Sequence, residues 1–325
     1  MIIDIHGHVS MPDEAWIYQA NLVSNRARPW KNPGKPSDER VAAAAESHLA
    51  MLERAGTKVQ LISPRPFAMM HSIRPERVVH YWNQYVNDLI AQKCALYPNV
   101  FRGVAGLPQF RDSSPANCVE ELERCVKELG FIGCVLNPDP MEGDGPPVPG
   151  LGNEFWYPLY EKIVELDVPV LIHSAACASA RESYTLHFIN EESIAVIDLL
   201  ESRVFQDFPN LQVVVSHSGG AIPYHMGRFR AWATRKGEQP FDDQLRRLHF
   251  DTCNYSSEAL ALLFSVVGSK RCLFGTEMPG TGTVVDPATG RTYDDLRPVI
   301  EGLDLLNQED RDNIFYKNAQ QLYRI

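Results

Sequence analysis

Short apolar runs alternate with longer amphipathic stretches along this chain. Eight runs rich in Val, Ile and Leu predict β-strands. The strands are Ile2–Ile5, Val59–Ser63, Gly103–Leu107, Gly133–Leu136, Val168–Ile172, Leu211–Ser216, Leu248–Thr252 and Cys272–Gly275. The stretches between them predict helices at about 38–54, 75–96, 115–129, 154–166, 191–206, 222–235, 257–267 and 293–303. This alternation predicts an α/β fold, a TIM-type (β/α)8 barrel that forms a single domain over residues 1–325.

Two segments interrupt the rhythm, at residues 12–36 and 139–152. The first is rich in Pro, Asn, Arg and Trp, and the second in Gly and Pro. Each follows a predicted strand, and the loops after the strands of a barrel form the face that carries active sites. We therefore expect both segments to be inserted pocket loops, with inert surface insertions as the alternative.

Composition narrows the classes of partner. The chain has 325 residues and a net charge of −10, which argues against nucleic-acid binding, since that requires a basic face. No apolar run is long enough to span a membrane, and no signal peptide is apparent. Seven cysteines without paired spacing indicate reduced thiols and a cytoplasmic enzyme. We also expect a homo-oligomer, specifically a dimer.

The first predicted strand ends in His6-Gly7-His8. Residues two apart in a strand face the same side, so both imidazoles can bind one metal ion. An isolated His-x-His is more often two hydrogen-bonded histidines, but further ligand types follow later strands. His173 follows the fifth strand and Glu277 the eighth, so His6, His8, His173 and Glu277 are the predicted ligands of one divalent metal. Three nitrogens and one oxygen favour zinc, with manganese or iron as alternatives, and no organic cofactor is expected.

Other polar residues at the strand ends are candidates for catalysis and substrate binding. His217, after the sixth strand, is a candidate proton carrier, with a fifth ligand or a structural hydrogen bond as alternatives. Arg65 suits a substrate carboxylate, or else a salt bridge at the rim. Asn137 could contact the substrate or orient a ligand, and Ser63 and Tyr255 complete the predicted substrate-binding set.

Several longer motifs carry a family resemblance. They are Ile2–His8 (IIDIHGH), Ser63–Arg65 (SPR), Glu120–Cys134 (EELERCVKELGFIGC), Asn137–Pro140 (NPDP), Trp156–Pro169 (WYPLYEKIVELDVP) and His217–Arg230 (HSGGAIPYHMGRFR). With the strand-end histidines and Glu277, they resemble the amidohydrolase superfamily, in the branch of aminocarboxymuconate semialdehyde decarboxylase. Within that branch the chain is most similar to the 4-oxalomesaconate hydratases, including the use of Glu277 where most of the branch carries aspartate.

The resemblance implies a metal-dependent lyase of aromatic catabolism, with Glu277 as proton carrier and His217 assisting. The pocket departs from the hydratase pattern after three strands, at 174–179, 253–258 and 279–283, where a basic residue and a histidine are missing. This favours non-oxidative decarboxylation of a hydroxylated aromatic or pyridine carboxylic acid of the hydroxybenzoate or hydroxypicolinate type. The alternative is a 4-oxalomesaconate hydratase-like hydro-lyase acting on an unsaturated keto-polycarboxylate. Either reaction predicts a small anionic aromatic or keto acid as substrate.

Overall fold

A computed structural model describes all 325 residues. Its strands run parallel, and each pairs with the next in sequence. They are β1 (Ile3–His8), β2 (Val59–Ser63), β3 (Phe101–Gly103 and Ala105–Gly106), β4 (Cys134–Leu136), β5 (Val170–Ile172), β6 (Val213–Val215), β7 (His249–Asp251) and β8 (Cys272–Leu273). The predicted α/β barrel is confirmed.

Backbone hydrogen bonds complete the barrel where the ladder is irregular. Within β3, the Val104 N–H donates to Ile62 O of β2 (2.9 Å). Between the last strand and the first, Ile5 N–H donates to Phe274 O (2.9 Å) and Glu277 N–H donates to His6 O (2.7 Å). The bond between Glu277 and His6 sets their backbones directly against each other.

Two buried clusters follow from the alternation of side chains along the strands. The smaller cluster fills the barrel with aliphatic residues from successive strands, and Tyr323 near the C-terminus packs against it. The larger contains 59 buried residues that pack the strands against the surrounding helices. In β7 the apolar Phe250 belongs to the larger cluster, while its neighbours His249 and Asp251 are buried polar residues. Asp251 is the last residue of β7 and therefore lies at the carboxyl end of the barrel.

The helices surround the strands. They are α1 (Asp13–Ser24), α2 (Asp38–Ala55), α3 (Glu76–Leu96), α4 (Val119–Lys127), α5 (Tyr157–Leu166), α6 (Tyr184–Leu200), α7 (Val204–Asp207), α8 (Met226–Lys236), α9 (Phe241–Leu245), α10 (Ser257–Val267), α11 (Arg297–Glu301), α12 (Gln308–Asp312) and α13 (Asn318–Tyr323). Helix α2 matches its prediction because both ends are encoded locally. The Ser37 side chain accepts from Arg40 N–H at the start, and Gly56 adopts φ 74° at the end.

Several helical segments differ from the prediction. The helix predicted at 293–303 is limited to Arg297–Glu301, and α12 and α13 were not predicted. Within 12–36, residues Asp13–Ser24 form a helix whose buried positions Ala15, Tyr18 and Leu22 recur at helical spacing. Helix α6 starts at Tyr184, seven residues before the predicted start. The prediction missed this start because the buried face of α6 includes the polar residues His187 and Glu192. A hydrophobic pattern cannot show such a face.

The loop at 139–152 packs on its neighbours rather than projecting freely. Buried Glu142 accepts a hydrogen bond from the Ser72 hydroxyl, and its carbonyl accepts one from Ala178 N–H (2.7 Å).

None of the helices combines the length and hydrophobicity that a membrane span needs. All seven cysteines are free thiols. The expected homodimer stays a prediction.

Candidate active site

Four side chains converge at the carboxyl ends of β1, β5 and β8. His6, His8, His173 and Glu277 are buried, and each offers a ligand atom within 4.8 Å of the others. Glu277 Oε1 lies 3.7 Å from His8 Nε2 and 3.9 Å from His173 Nε2. The Nε2 atoms of all three histidines are buried and have no hydrogen-bond partner. Buried nitrogens without partners are costly in a folded protein, unless a ligand occupies the space between them.

The other ring nitrogen of each histidine is fixed by the protein. His6 Nδ1–H donates to Asp251 Oδ2 (2.6 Å), His8 Nδ1–H to Ser63 Oγ (3.0 Å), and His173 Nδ1–H to its neighbour's carbonyl, Ser174 O (2.6 Å). These bonds set the tautomer that leaves a lone pair on Nε2, as metal-ligating histidines require.

The close approach of the Gln60 side chain to the backbone explains the glycine between the first two histidines. The pairing of β1 with β2 shifts register between Asp4 and Gly7. A Cβ atom on Gly7 would lie only 2.3 Å from the side-chain carbon of Gln60, so glycine makes room for that buried glutamine. Gln60 in turn donates to Asp4 Oδ2 (2.9 Å) and to Met278 O (2.7 Å), next to Glu277.

The electrostatics of the cluster suit a cation. Burial, reinforced by the neighbouring imidazoles, lowers the pKa of His6 and His173 well below the usual histidine value, so both rings are neutral. Burial opposes ionisation of Glu277, but His217 and His8 beside it bring the pKa of its carboxyl well below the usual value. Burial also lowers the pKa of His8. Three neutral imidazoles and one carboxylate therefore fit a divalent ion such as zinc or manganese.

His217 lies beside this cluster and is held by a carboxylate. Its Nε2 is 3.8 Å from Glu277 Oε1, and its Nδ1–H donates to both oxygens of buried Glu192, at 2.8 and 2.9 Å. Burial opposes protonation of His217, but the charge of Glu192 raises its pKa well above the usual histidine value.

A strained turn sets the position of this histidine. His217, Ser218, Gly219 and Gly220 all have positive φ angles (48°, 59°, 78° and 62°). At Gly220 a Cβ would lie 2.5 Å from Ile189 O of α6, so only glycine allows this close approach. The HSGG motif thus packs the turn onto the helix that supplies Glu192. Strain of this kind is concentrated at functional sites.

Two neighbouring cavities, of about 470 and 200 Å3, open onto the cluster and share Tyr184, Glu277 and Thr281. Arg65 and Phe67 line the larger cavity, beside His8 and the segment 279–283. Helix α1 supports that wall, because Trp16 stacks on Phe67 with ring centroids 6.0 Å apart. A single arginine among aromatic and hydroxyl groups suits a small anionic compound.

A larger cavity, of about 1220 Å3, lies at the opposite end of the barrel. Residues that precede strands, including Val168, Gln212 and Lys270, line it together with the C-terminal residues Leu322 and Arg324. In barrels of this kind the amino ends of the strands serve stability. The cavity at the carboxyl ends therefore carries the candidate chemistry.

The remaining predicted site residues have different surroundings. Arg65 lines the cavity and donates to Pro279 O (3.3 Å). Tyr255 lines the smaller cavity, and its hydroxyl donates to Glu277 Oε2 (3.0 Å). Ser63 is buried under His8, where it orients a predicted ligand instead of facing substrate. The Asn137 side chain is buried and bonded to His71 Nδ1 (3.0 Å) and to backbone groups of Asp139, and it lines neither cavity.

Asp251 and Glu192 were not predicted as site residues. Asp251 ends a strand, in Phe250-Asp251-Thr252, so its position at the carboxyl edge was an available signal. Glu192 lies within α6 and meets His217 only through tertiary packing, so its sequence neighbourhood carries no signal.

Comparison with known proteins agrees with this geometry. The family model described as amidohydrolase matches residues 3–325. A 2-keto-4-carboxy-3-hexenedioate hydratase from Sphingobium sp. is 39% identical over 329 residues, which cover 99% of this chain and 96% of that protein. The crystal structure of 4-oxalomesaconate hydratase from Rhodopseudomonas palustris superposes with a TM-score of 0.90 at 35% identity, covering 100% of this chain and 96% of that one. A dihydroxybenzoic acid decarboxylase from Polaromonas sp., with bound manganese, superposes with a TM-score of 0.76 at 21% identity, covering 99% of this chain and 96% of that one.

Proposed function

The chain belongs to the amidohydrolase family and is a lyase, and we propose that it is a metal-dependent hydratase of an unsaturated keto-polycarboxylate. The observation that carries this proposal is the likeness over nearly the whole chain to a 2-keto-4-carboxy-3-hexenedioate hydratase, at 39% identity. The decarboxylase with bound manganese is similar in fold, but at only 21% identity. Hydration, the alternative in the sequence analysis, is therefore better supported than decarboxylation.

The preference for decarboxylation depended on the missing basic residue after Glu277 and on the altered segments after His173 and Cys253. The cavity supports a different assessment of the segment after Glu277. Thr281 and Thr283 line it together with Arg65 and Tyr184. Hydroxyl groups can bind carboxylates as hydrogen-bond donors, so a polycarboxylate does not require a second cation at this position.

His6, His8, His173 and Glu277 are the proposed metal ligands. A divalent ion held there would supply Lewis-acid polarisation of a substrate or water oxygen. The donor set suits zinc, which the sequence favours, and also manganese, which the structurally similar decarboxylase binds.

The protein side chains have separate proposed roles in hydration. Arg65 binds a substrate carboxylate through its planar guanidinium, at the wall of the cavity next to His8. His217 carries the proton that is added to the carbon of the double bond, while Glu192 holds its ring in place. Glu277, 3.8 Å from His217 Nε2, is the second acid–base group. The hydroxyl of water bonds to the other alkene carbon, so that addition of one water balances the reaction.

A substrate panel tests this proposal. The metal-loaded protein is incubated with 4-oxalomesaconate and, separately, with 2,6-dihydroxybenzoate, while ultraviolet absorbance and CO2 are followed. We expect the conjugated chromophore of 4-oxalomesaconate to disappear with kcat/KM of at least about 10⁴ M⁻¹s⁻¹ and without CO2 release. Release of CO2 from the aromatic acid, with no hydration of the keto acid, would contradict the proposal. A chelator-treated sample is the control for metal dependence.

A further inference from the structure

A second group of metal-ligating side chains lies outside the active site. Asp139, His187 and Glu191 each offer a ligand atom, and these atoms lie within 4.8 Å of one another. Asp139 belongs to the NPDP motif after β4, for which the proposed hydration has no role. His187 and Glu191 are four residues apart on α6, so their side chains share one face of the helix.

His187 has the hydrogen-bonding pattern that a metal ligand requires. The residue is only 1% exposed, and its Nδ1–H donates to Glu182 Oε1 (3.0 Å). Its Nε2 is buried and has no hydrogen-bond partner. The three active-site histidines show the same combination of a fixed Nδ1 and a free buried Nε2.

The two carboxylates lack a cation of their own. Burial, and then the charge of Asp139, raise the pKa of Glu191 to about 7, which shows that negative charge is unfavourable there. The oxygens of Asp139 accept from Met141 N–H (2.9 Å) and Gly143 N–H (2.6 Å), which fixes the carboxylate on its loop. Both acids are half-buried, so an ion can reach them from solvent.

Neither a salt bridge nor the nearby thiol of Cys177 accounts for the whole group. A salt bridge from His187 to Asp139 or Glu191 would place a carboxylate oxygen within hydrogen-bond distance of His187 Nε2. No such contact exists. Cys177 forms another potential group with His187 and Glu182, but Glu182 already accepts from Nδ1. Ligands at about 2.0–2.2 Å from a common ion lie about 3–4 Å apart, which the separation at Asp139, His187 and Glu191 allows.

We propose that Asp139, His187 and Glu191 form a second divalent-cation site, which joins the loop after β4 to helix α6. The same helix carries Tyr184, which lines the cavity, and Glu192, which holds His217. An ion at this site would therefore stabilise the wall of the active site from outside, without touching the substrate.

Binding of Mn2+ alone tests the second site. Metal-free protein is titrated with Mn2+, and bound ion is counted by electron paramagnetic resonance and by elemental analysis. We expect two Mn2+ per chain in the wild type and one in His187→Gln and Glu191→Gln. Glu191→Gln is nearly isosteric at a half-buried position, so it serves if the histidine variant does not fold.

His80→Gln is the matched control. His80 lies 3.5 Å from Glu76 on α3, and it belongs to no group of potential metal ligands. It should retain two ions. Hydrogen exchange adds a second readout: Mn2+ should slow exchange in 139–143 and 184–191 in the wild type but not in Glu191→Gln. A single Mn2+ per wild-type chain, or two in Glu191→Gln, overturns the second site and leaves the proposed hydratase intact.

Discussion

Replacing Gly7 with alanine should disrupt the predicted metal centre through Gln60. The added Cβ would lie 2.3 Å from Gln60 Cδ, 2.5 Å from Nε2 and 2.6 Å from Oε1. Gln60 is fully buried and cannot move freely, because His48 Nε2–H donates to its Oε1 (2.7 Å) while its amide donates to Asp4 and to Met278 O. The clash must therefore break hydrogen bonds or displace β1.

The expected loss of stability follows from these contacts. A buried polar group left without a partner costs about 1–3 kcal/mol, so loss of two bonds predicts about 3 kcal/mol. That is a large share of a typical unfolding free energy of about 5–15 kcal/mol. Because Gly7 separates two predicted ligands, we also expect Gly7→Ala to retain less metal than the wild type.

Urea unfolding of Gly7→Ala, Gln60→Ala and the double variant measures the coupling. In the Gln60→Ala background the obstacle is gone, so the Gly7 substitution should cost less than about 1 kcal/mol. Gly227→Ala on α8 is the control, because nothing lies within 4 Å of its added Cβ, and alanine there should be neutral or stabilising by about 0.5–1 kcal/mol. An equal cost for Gly7→Ala in both backgrounds would refute the steric argument.

Four further outcomes are expected. His217→Ala should keep its metal but lower kcat by about 10²–10⁴-fold, and loss of metal in elemental analysis would instead identify His217 as a ligand. Arg65→Lys should raise KM about tenfold or more with little change in kcat, since an ammonium cannot form the two parallel bonds of a guanidinium; an unchanged KM would assign Arg65 to the rim. Asp251→Asn should weaken metal binding about 10–100-fold, measured by competition with a chelator, and unaltered affinity would contradict its role in orienting His6. Burial lowers the pKa of Lys93 to about 7, so above that pH the unfolded chain binds more protons and stability rises with pH. Relative to Lys93→Met, the wild type should gain about 2 kcal/mol in urea titrations between pH 7 and 9, and parallel pH profiles would contradict this.

The barrel was predictable because its strands are short apolar runs with local boundaries. Val59–Ser63 and Ser257–Val267 were predicted to the residue. Pattern recognition was less accurate where buried faces are polar, as in α6, or where a helix lies inside an irregular segment, as at Asp13–Ser24.

The candidate ligands were predictable because parallel strands place their carboxyl ends together. Side chains that support the ligands were harder to assign. Ser63 and Asn137 were expected to face substrate, yet the first bonds to His8 and the second to His71. Sequence position indicates that a polar residue lies at the catalytic end, but not whether its hydrogen-bonding groups are already used within the protein. Glu192 reaches His217 only after a helix packs on the sheet, which no local pattern encodes.

The fate of labelled water tests the proposed hydration most directly. The metal-loaded protein is incubated with 4-oxalomesaconate in H2¹⁸O, and the product is analysed by mass spectrometry while CO2 is trapped. After correction for exchange of the keto oxygen, measured without enzyme, we expect a product heavier by one labelled water and no CO2. A product that has lost CO2, or an unchanged substrate with fully metal-loaded protein, would contradict the proposed hydration.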